Sequence, residues 1–101
     1  MEKDTHITEV IFRKFKDGNK EVIAIMPHQV CDTTGGVESY MHVGQHGACD
    51  YKGLLKTTKL ATPTESLALY TELEKLGYNL LVIRKQNYSK YLESYRNGKR
   101  N

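Results

Sequence analysis

The sequence is poor in the residues that tie a small fold together covalently or hold it in a membrane. Cys31 and Cys49 are its two cysteines, too few for the disulfide framework of a small secreted domain, so a reducing cytosol is the simpler setting. No apolar run approaches the roughly 18 residues of a membrane-spanning helix, and the start of the chain does not resemble a signal peptide. We therefore expect a cytoplasmic protein that makes no contact with a membrane.

The charge bias of the chain is also weak. Its 101 residues carry 15 Lys and Arg against 12 Asp and Glu, and a net charge of +3 does not by itself indicate a nucleic-acid partner. Hydrophobic residues make up 39% and charged residues 27%, which is typical of a folded protein rather than a disordered one. The length predicts a single domain, residues 1–101, that is large enough to bury a core.

Two apolar runs near the start of the chain predict a β-hairpin. Residues 7–16 are rich in β-branched and aromatic side chains without a helical stripe, and a second apolar run over 21–26 stops at Pro27. Between them lies Asp17-Gly18-Asn19, a sequence that suits a tight turn. The second run is apolar at successive positions, so we expect that strand to lie inside the sheet.

A third strand is predicted over 37–44, where side chains alternate in character. In this interpretation Met41 and Val43 face the core. Tyr40 and His42 then project from the opposite, polar face of the strand.

Two helices and one further strand are predicted in the second half of the chain. Thr62 and Glu65 form a capping box that starts a helix, and Gly77 ends it. A buried strand follows over 79–84, and Asn87 can cap a last helix. The order β-β-β-α-β-α predicts an α+β fold, a small, mostly antiparallel sheet with helices on one face.

The densest group of reactive side chains lies within residues 40–51, a glycine-rich loop after the third strand. Its glycines let the backbone approach a ligand closely, its histidines can donate to an anion, and its tyrosines can stack on a base. A tight structural turn is the competing interpretation. The candidate ligand-binding residues are Tyr40, His42, Gln45, His46, Gly47 and Tyr51.

Two other chemistries are open to side chains in and near this loop. A metal could be held by His and Cys side chains. The potential metal ligands are His28, Cys31, His42, His46 and Cys49. Nothing in their spacing forces them together, so neither a metal nor a cofactor is predicted.

A small hydrolase is conceivable if His42 and His46 act as acid and base, or if one of them activates Cys49 as a nucleophile.

The C-terminal stretch offers a nucleic-acid alternative. From Arg84 to Asn101 the net charge is +5, whereas the rest of the chain carries −2. Tyr88, Tyr91 and Tyr95 interleave with these cations, as in surfaces that stack bases beside phosphate contacts. The competing interpretation is that this aromatic stripe docks the helix on the sheet and leaves the basic face in water.

The motif Tyr40-Met41-His42-Val43-Gly44-Gln45-His46-Gly47, together with the segment 9–18 and the Ala61-Thr62-Pro63 helix start, resembles a group of small proteins. These are encoded by phages and mobile elements of gut Bacteroidales. The resemblance spans about Thr8 to Lys85 and implies a context rather than an activity. It implies an accessory protein inside a bacterial host cell that counters host defence, either by binding a defence protein or by sequestering a nucleotide signal.

The main functional hypothesis is a small non-enzymatic binding protein. Its ligand, a nucleotide or other phosphorylated small molecule, would meet the loop 40–51. A pocket this small would be completed across a homodimer interface, so a homo-oligomer is expected. The alternatives are the nucleic-acid-binding accessory protein and the small hydrolase.

Overall fold

The computed structural model describes residues 7–17, 21–32, 34–41 and 46–99. Within these ranges the chain forms six strands and three helices. In chain order they are β1 (Thr8–Phe15), β2 (Val22–Val30), β3 (Val37–Tyr40), β4 (His46–Cys49), α1 (Tyr51–Thr57), β5 (Thr58–Leu60), α2 (Pro63–Lys75), β6 (Leu80–Val82) and α3 (Tyr88–Lys99). No helix in these ranges is long and apolar enough to cross a membrane.

The sheet is mostly antiparallel, as predicted for this α+β fold. Its strand order is β4-β3-β2-β1-β5, and β6 joins β1 in parallel. The predicted hairpin of β1 and β2 is confirmed by antiparallel pairs such as Phe12 with Ala24, although its turn residues Gly18 and Asn19 lie outside the described residues. β6 lies beside the first half of β1 and β5 beside the second half, so two short strands share one edge.

Helices cover both faces of the sheet, rather than the single face expected from the sequence. Val10 and Phe12 of β1 pack under α2, whereas Ile11 between them packs with side chains of α1 and α3. β2 alternates in the same way, because Ala24 and its neighbours on either side are all buried. Two inner strands that are apolar on both faces need a helical layer on each, since successive strand side chains point to opposite sides.

The predicted orientation of β3 is wrong. Tyr40 was expected on a polar face, but it is 1% exposed and packs in the core under α2, opposite Ala24 of β2. Met41 packs on the opposite cluster, while His42 and Val43 lie outside the described residues. The side chains of β3 do alternate between the two faces of the sheet. Because both faces are covered, this alternation does not identify a solvent-exposed face.

Three elements had no firm prediction. β4 is an edge strand within the glycine-rich loop and pairs with β3. Val37 pairs with Cys49 at one end of the ladder and Tyr40 with His46 at the other. α1 and β5 occupy the ambiguous stretch that follows. Their local sequence is a poor helix or strand former, with Gly47 in β4 and Gly53 in α1. We infer that pairing and packing with the rest of the fold, rather than propensity, stabilise them.

The predicted ends of α2 are confirmed. The Thr62 hydroxyl oxygen accepts from the Glu65 amide at 3.2 Å, and the Glu65 carboxylate accepts from the Thr62 amide at 2.9 Å. At the other end Gly77 has φ of 105°, and the Tyr78 amide donates to the carbonyl of Leu73 at 3.2 Å. These bonds satisfy the backbone groups that a helix leaves unpaired at its termini.

Candidate functional site

Strand β4 divides the predicted loop site between the two faces of the sheet. His46 and Cys49 are three residues apart, so their side chains point to opposite faces of the strand. His46 lies on the α2 face, with its ring 4.6 Å from that of Tyr40. Cys49 packs on the opposite cluster together with Tyr51. The two halves of the predicted site therefore belong to two separate surfaces.

The surface on the α2 side is a groove of about 460 Å³ that we call the histidine groove. The Nε2 atom of His46 lies 3.3 Å from the Tyr78 hydroxyl. Burial raises the pKa of Tyr78, and Glu38 adds to the effect, so this hydroxyl stays protonated at neutral pH. The lining residues are Thr8, Gln29, Glu38, His46, Leu76, Gly77, Tyr78 and Asn79.

The surface on the other side is a cleft of about 550 Å³ between the loop after β2, the start of α1 and the start of α3. We call it the tyrosine cleft. Its size is in the range of small-molecule sites. The lining residues are Asp32, Thr34, Gly35, Gly36, Ala48, Cys49, Asp50, Tyr51, Lys52, Gln86, Tyr88 and Tyr91.

Three tyrosine rings from two helices line this cleft, and two of them are held by hydrogen bonds. The Tyr51 hydroxyl accepts from the Gln86 amide at 3.0 Å. The Tyr91 hydroxyl donates to the carbonyl of Gly35 at 3.0 Å. Tyr88 stacks on Tyr91 with ring centroids 5.9 Å apart and is 58% exposed. The cleft therefore has aromatic walls that are fixed before any ligand binds.

The loop that closes one side of the cleft is built around Asp32. Its carboxylate accepts from the amides of Thr34 at 3.1 Å and Gly36 at 2.7 Å, and from the Thr34 hydroxyl at 2.9 Å. These bonds, led by the one from Gly36, lower the pKa of Asp32. The Thr34 and Gly36 amides are thus used within this loop and are not available to an anion in the cleft.

The charges that line the cleft favour ligands that donate hydrogen bonds. Among the described residues that line it, Asp32 and Asp50 are exposed acids and Lys52 is the single cation. The Asp50 side chain makes no capping hydrogen bond to α1, so its oxygens can still accept from a ligand. Burial raises the pKa of Tyr91, and both carboxylates contribute. A planar molecule with N–H groups suits this lining better than a polyanion.

Cys49 is unsuited to nucleophilic catalysis. Burial raises the pKa of its thiol to about 11, so the nucleophilic thiolate is scarce at neutral pH. His46, the described candidate base, lies on the other face of β4. The structure therefore does not place His46 beside Cys49, and the other candidate base, His42, lies outside the described residues.

One polar network, half-buried at Glu9 and His28 and exposed at Asn87 and Lys90, had no counterpart in the sequence predictions. His28 Nε2 accepts from the Asn87 amide at 2.7 Å, so its Nδ1 carries the proton and donates to Glu9 at 2.9 Å. Lys90 donates to both oxygens of the same carboxylate at 3.0 Å. The Lys90 hydrogen bond is the main cause of a lowered pKa at Glu9. His28 thus fixes the start of α3 and is not available to a metal.

The remaining candidate metal ligands and ligand-binding residues do not form one site among the described residues. Among the described residues, no group of three or more His, Cys, Asp or Glu could hold a metal ion. Of the predicted ligand-binding residues, Tyr51 lines the tyrosine cleft, His46 lines the histidine groove and Tyr40 is buried. Gly47 is exposed in β4, while His42 and Gln45 lie outside the described residues.

Sequence reasoning missed the contributions of α3 and the Asp32 loop to the cleft. The tyrosine stripe of α3 was recognised as a docking surface, and Tyr91 does dock on the sheet. The same stripe also leaves Tyr88 exposed at the cleft. The paired glycines Gly35-Gly36 before β3 were the available signal for a close approach at this point.

The comparisons with known proteins add no family to this geometry. No protein-family model matches the chain, and neither the curated proteins nor the solved structures give a significant match.

Proposed function

We propose that this protein is a non-enzymatic binding protein whose ligand contains a nucleobase and occupies the tyrosine cleft. The observation that carries this proposal is the gathering of Tyr51, Tyr88 and Tyr91 around one cleft of about 550 Å³ beside the Asp50 carboxylate. The proposal keeps the small-molecule class expected from the sequence and moves the site to the α3 side of β4.

The fit to a nucleobase follows from shape and hydrogen bonding. The exposed ring of Tyr88 offers a flat apolar face, and stacking of a base on such a ring is worth roughly 1–3 kcal/mol. Exocyclic amino groups and ring N–H groups of bases are donors that the Asp50 carboxylate can accept. Tyr88 stacks on Tyr91, whose hydroxyl is bonded to the Gly35 carbonyl, so this wall of the cleft needs little ordering on binding.

The phosphate part of a nucleotide has less support in the same cleft. Lys52 is the one cation among the lining residues, and Asp32 has already taken the Gly36 amide. Each additional phosphate would bring more negative charge close to Asp32 and Asp50, and this repulsion would weaken binding. We therefore expect nucleosides and nucleoside monophosphates to bind at least as tightly as triphosphates.

A protein that holds such a ligand without converting it would act by sequestration. That role agrees with the resemblance to proteins of phages and mobile elements, which implies interference with a host signal. A small cyclic nucleotide is the natural first candidate, because it combines a base with a single phosphate charge.

Isothermal titration with adenosine, guanosine, cytidine and uridine, their monophosphates, their cyclic monophosphates and their triphosphates tests the proposal. We expect saturable binding of at least one nucleoside or monophosphate, and no gain from added phosphates. Tyr88→Ala should weaken that binding about tenfold or more, since it removes an exposed ring without opening the core.

His46→Ala is the matched control, because His46 is exposed on the opposite face of β4. Its binding should equal that of the parent protein. Loss of binding in His46→Ala but not in Tyr88→Ala would place the ligand in the histidine groove instead. Chromatography of the recovered ligand should show it unchanged, and any product would overturn the non-enzymatic part of the proposal.

A further inference from the structure

A third concave surface lies at the edge of the sheet that β5 and β6 share. β5 and β6 approach each other along the same edge of β1, and the first half of α2 covers the space between them. The result is a groove of about 680 Å³, which we call the apolar groove. Its large apolar side chains are Phe12, Leu60, Leu67, Tyr70, Val82 and Ile83.

The apolar groove is open to solvent although its lining is hydrophobic. Leu67 is 62% exposed, Val82 53% and Leu60 41%. These three come from three different elements, α2, β6 and β5, so their clustering is a product of the fold. A continuous apolar patch of this kind marks an interaction surface more often than isolated exposed leucines do.

The charge around the groove has one sign. Arg84 is the charged side chain among the described residues that line it. No carboxylate is among the described residues that line it. Glu65, the acidic residue in the first turn of α2, is already bonded to Lys14 and to the Thr62 amide.

We propose that the apolar groove binds an acidic segment of a partner protein, anchored by one or two large apolar side chains. Charge complementarity is the reason for this choice. A second copy of the chain docked by a two-fold axis would bring the Arg84 side chains of the two copies toward each other. A nucleic acid would match Arg84 but would leave the exposed leucine and valine side chains without apolar contact.

Selection from a random library of displayed 12-residue peptides provides an unbiased probe of this surface. We expect selection on the wild-type protein to enrich peptides that combine Asp or Glu with Leu, Ile, Phe or Met. A selected peptide, labelled with fluorescein, should bind at least tenfold more weakly to Leu67→Ser and to Arg84→Glu by fluorescence anisotropy. Both side chains are exposed, so neither change disturbs the core.

Leu76→Ser is the matched control, because Leu76 is 54% exposed but lines the histidine groove. Its affinity for the selected peptide should equal that of the wild type. Enrichment of basic or neutral peptides, the absence of enrichment, or equal binding by all variants would overturn the proposal.

Two further measurements test whether a second copy of the chain or a nucleic acid occupies the apolar groove instead. Light scattering after size exclusion would overturn the proposal if it showed a dimer that Leu67→Ser dissociates, since the groove would then belong to a second copy. Binding of a 20-nucleotide RNA or a 20-base-pair DNA that falls in Arg84→Glu but not in Leu67→Ser would overturn it in favour of a nucleic acid.

Discussion

At the scale of single residues, Gly35 and Tyr91 show how local backbone freedom shapes the cleft. Gly35 has φ of +91°, a conformation that side-chain-bearing residues rarely adopt. A Cβ atom placed there would lie 2.6 Å from the Tyr91 hydroxyl oxygen. Only glycine lets the loop carbonyl accept from that hydroxyl, and the hydroxyl in turn holds the aromatic wall of the tyrosine cleft.

Cys49 carries a prediction that decides between a binder and a cysteine hydrolase. Since burial raises the pKa of its thiol to about 11, iodoacetamide at pH 7.5 should modify it far more slowly than a free cysteine. Burial and the nearby Asp32 raise the pKa of Cys31 as well, but this thiol is exposed and should react before Cys49, which makes it an internal control. Peptide mass spectrometry over a time course measures both sites. Modification of Cys49 faster than free cysteine would indicate an activated thiolate and would restore the hydrolase hypothesis.

At the scale of elements, the sequence predicts best where short-range signals decide the structure. The capping box at Thr62 and Glu65 and the glycine at position 77 locate α2 from side chains within a few residues of its ends. β4 lacks such signals, because its residues His46–Cys49 show no apolar alternation and become a strand only through pairing with β3. For the same reason the sequence could not show which face of β4 each reactive side chain would take.

The capping box also gives a prediction for acid stability. The Lys14 hydrogen bond and the Thr62 amide lower the pKa of Glu65 from 4.5 to about 2, so the folded state favours its carboxylate. This contribution to stability is complete above pH 4.5 and is lost as the pH falls toward 2. Melting curves by circular dichroism should therefore show a smaller loss between pH 5 and 2 in Glu65→Gln than in the wild type.

Glu74→Gln is the control for that series, because Glu74 is exposed on the same helix. Its melting temperature should follow the wild-type dependence on pH. Identical curves for Glu65→Gln and the wild type would show that ionisation of Glu65 does not determine acid stability.

At the scale of the whole molecule, the two-sided sheet explains both the successes and the failures of sequence reasoning. The apolar positions of β1 and β2 were recognised, and they do form the core. Their presence on both strand faces required two helical layers, which separates His46 from Tyr51. Residues 40–51 are neighbours in the sequence and were predicted to form one site, although the sheet separates His46 from Tyr51.

The last prediction concerns the attachment of α3, which forms one wall of the tyrosine cleft. His28 connects β2 to the start of this helix through the Asn87 amide and to β1 through Glu9. His28→Ala removes both hydrogen bonds of the imidazole, at a cost of about 1 kcal/mol each, while Lys90 still donates to both oxygens of Glu9. Because the bonds are local to α3, we expect faster amide hydrogen exchange over 88–96 while β1 and β2 stay protected.

Ligand binding in the tyrosine cleft should weaken in the same variant, since Tyr88 and Tyr91 belong to the loosened helix. His46→Ala replaces an exposed histidine that does not touch α3, so it should leave exchange over 88–96 unchanged. Hydrogen-exchange mass spectrometry of the three proteins measures the difference peptide by peptide. Equal protection of α3 in His28→Ala and the wild type would show that the hydrophobic contact of Tyr91 with the sheet holds the helix without the histidine.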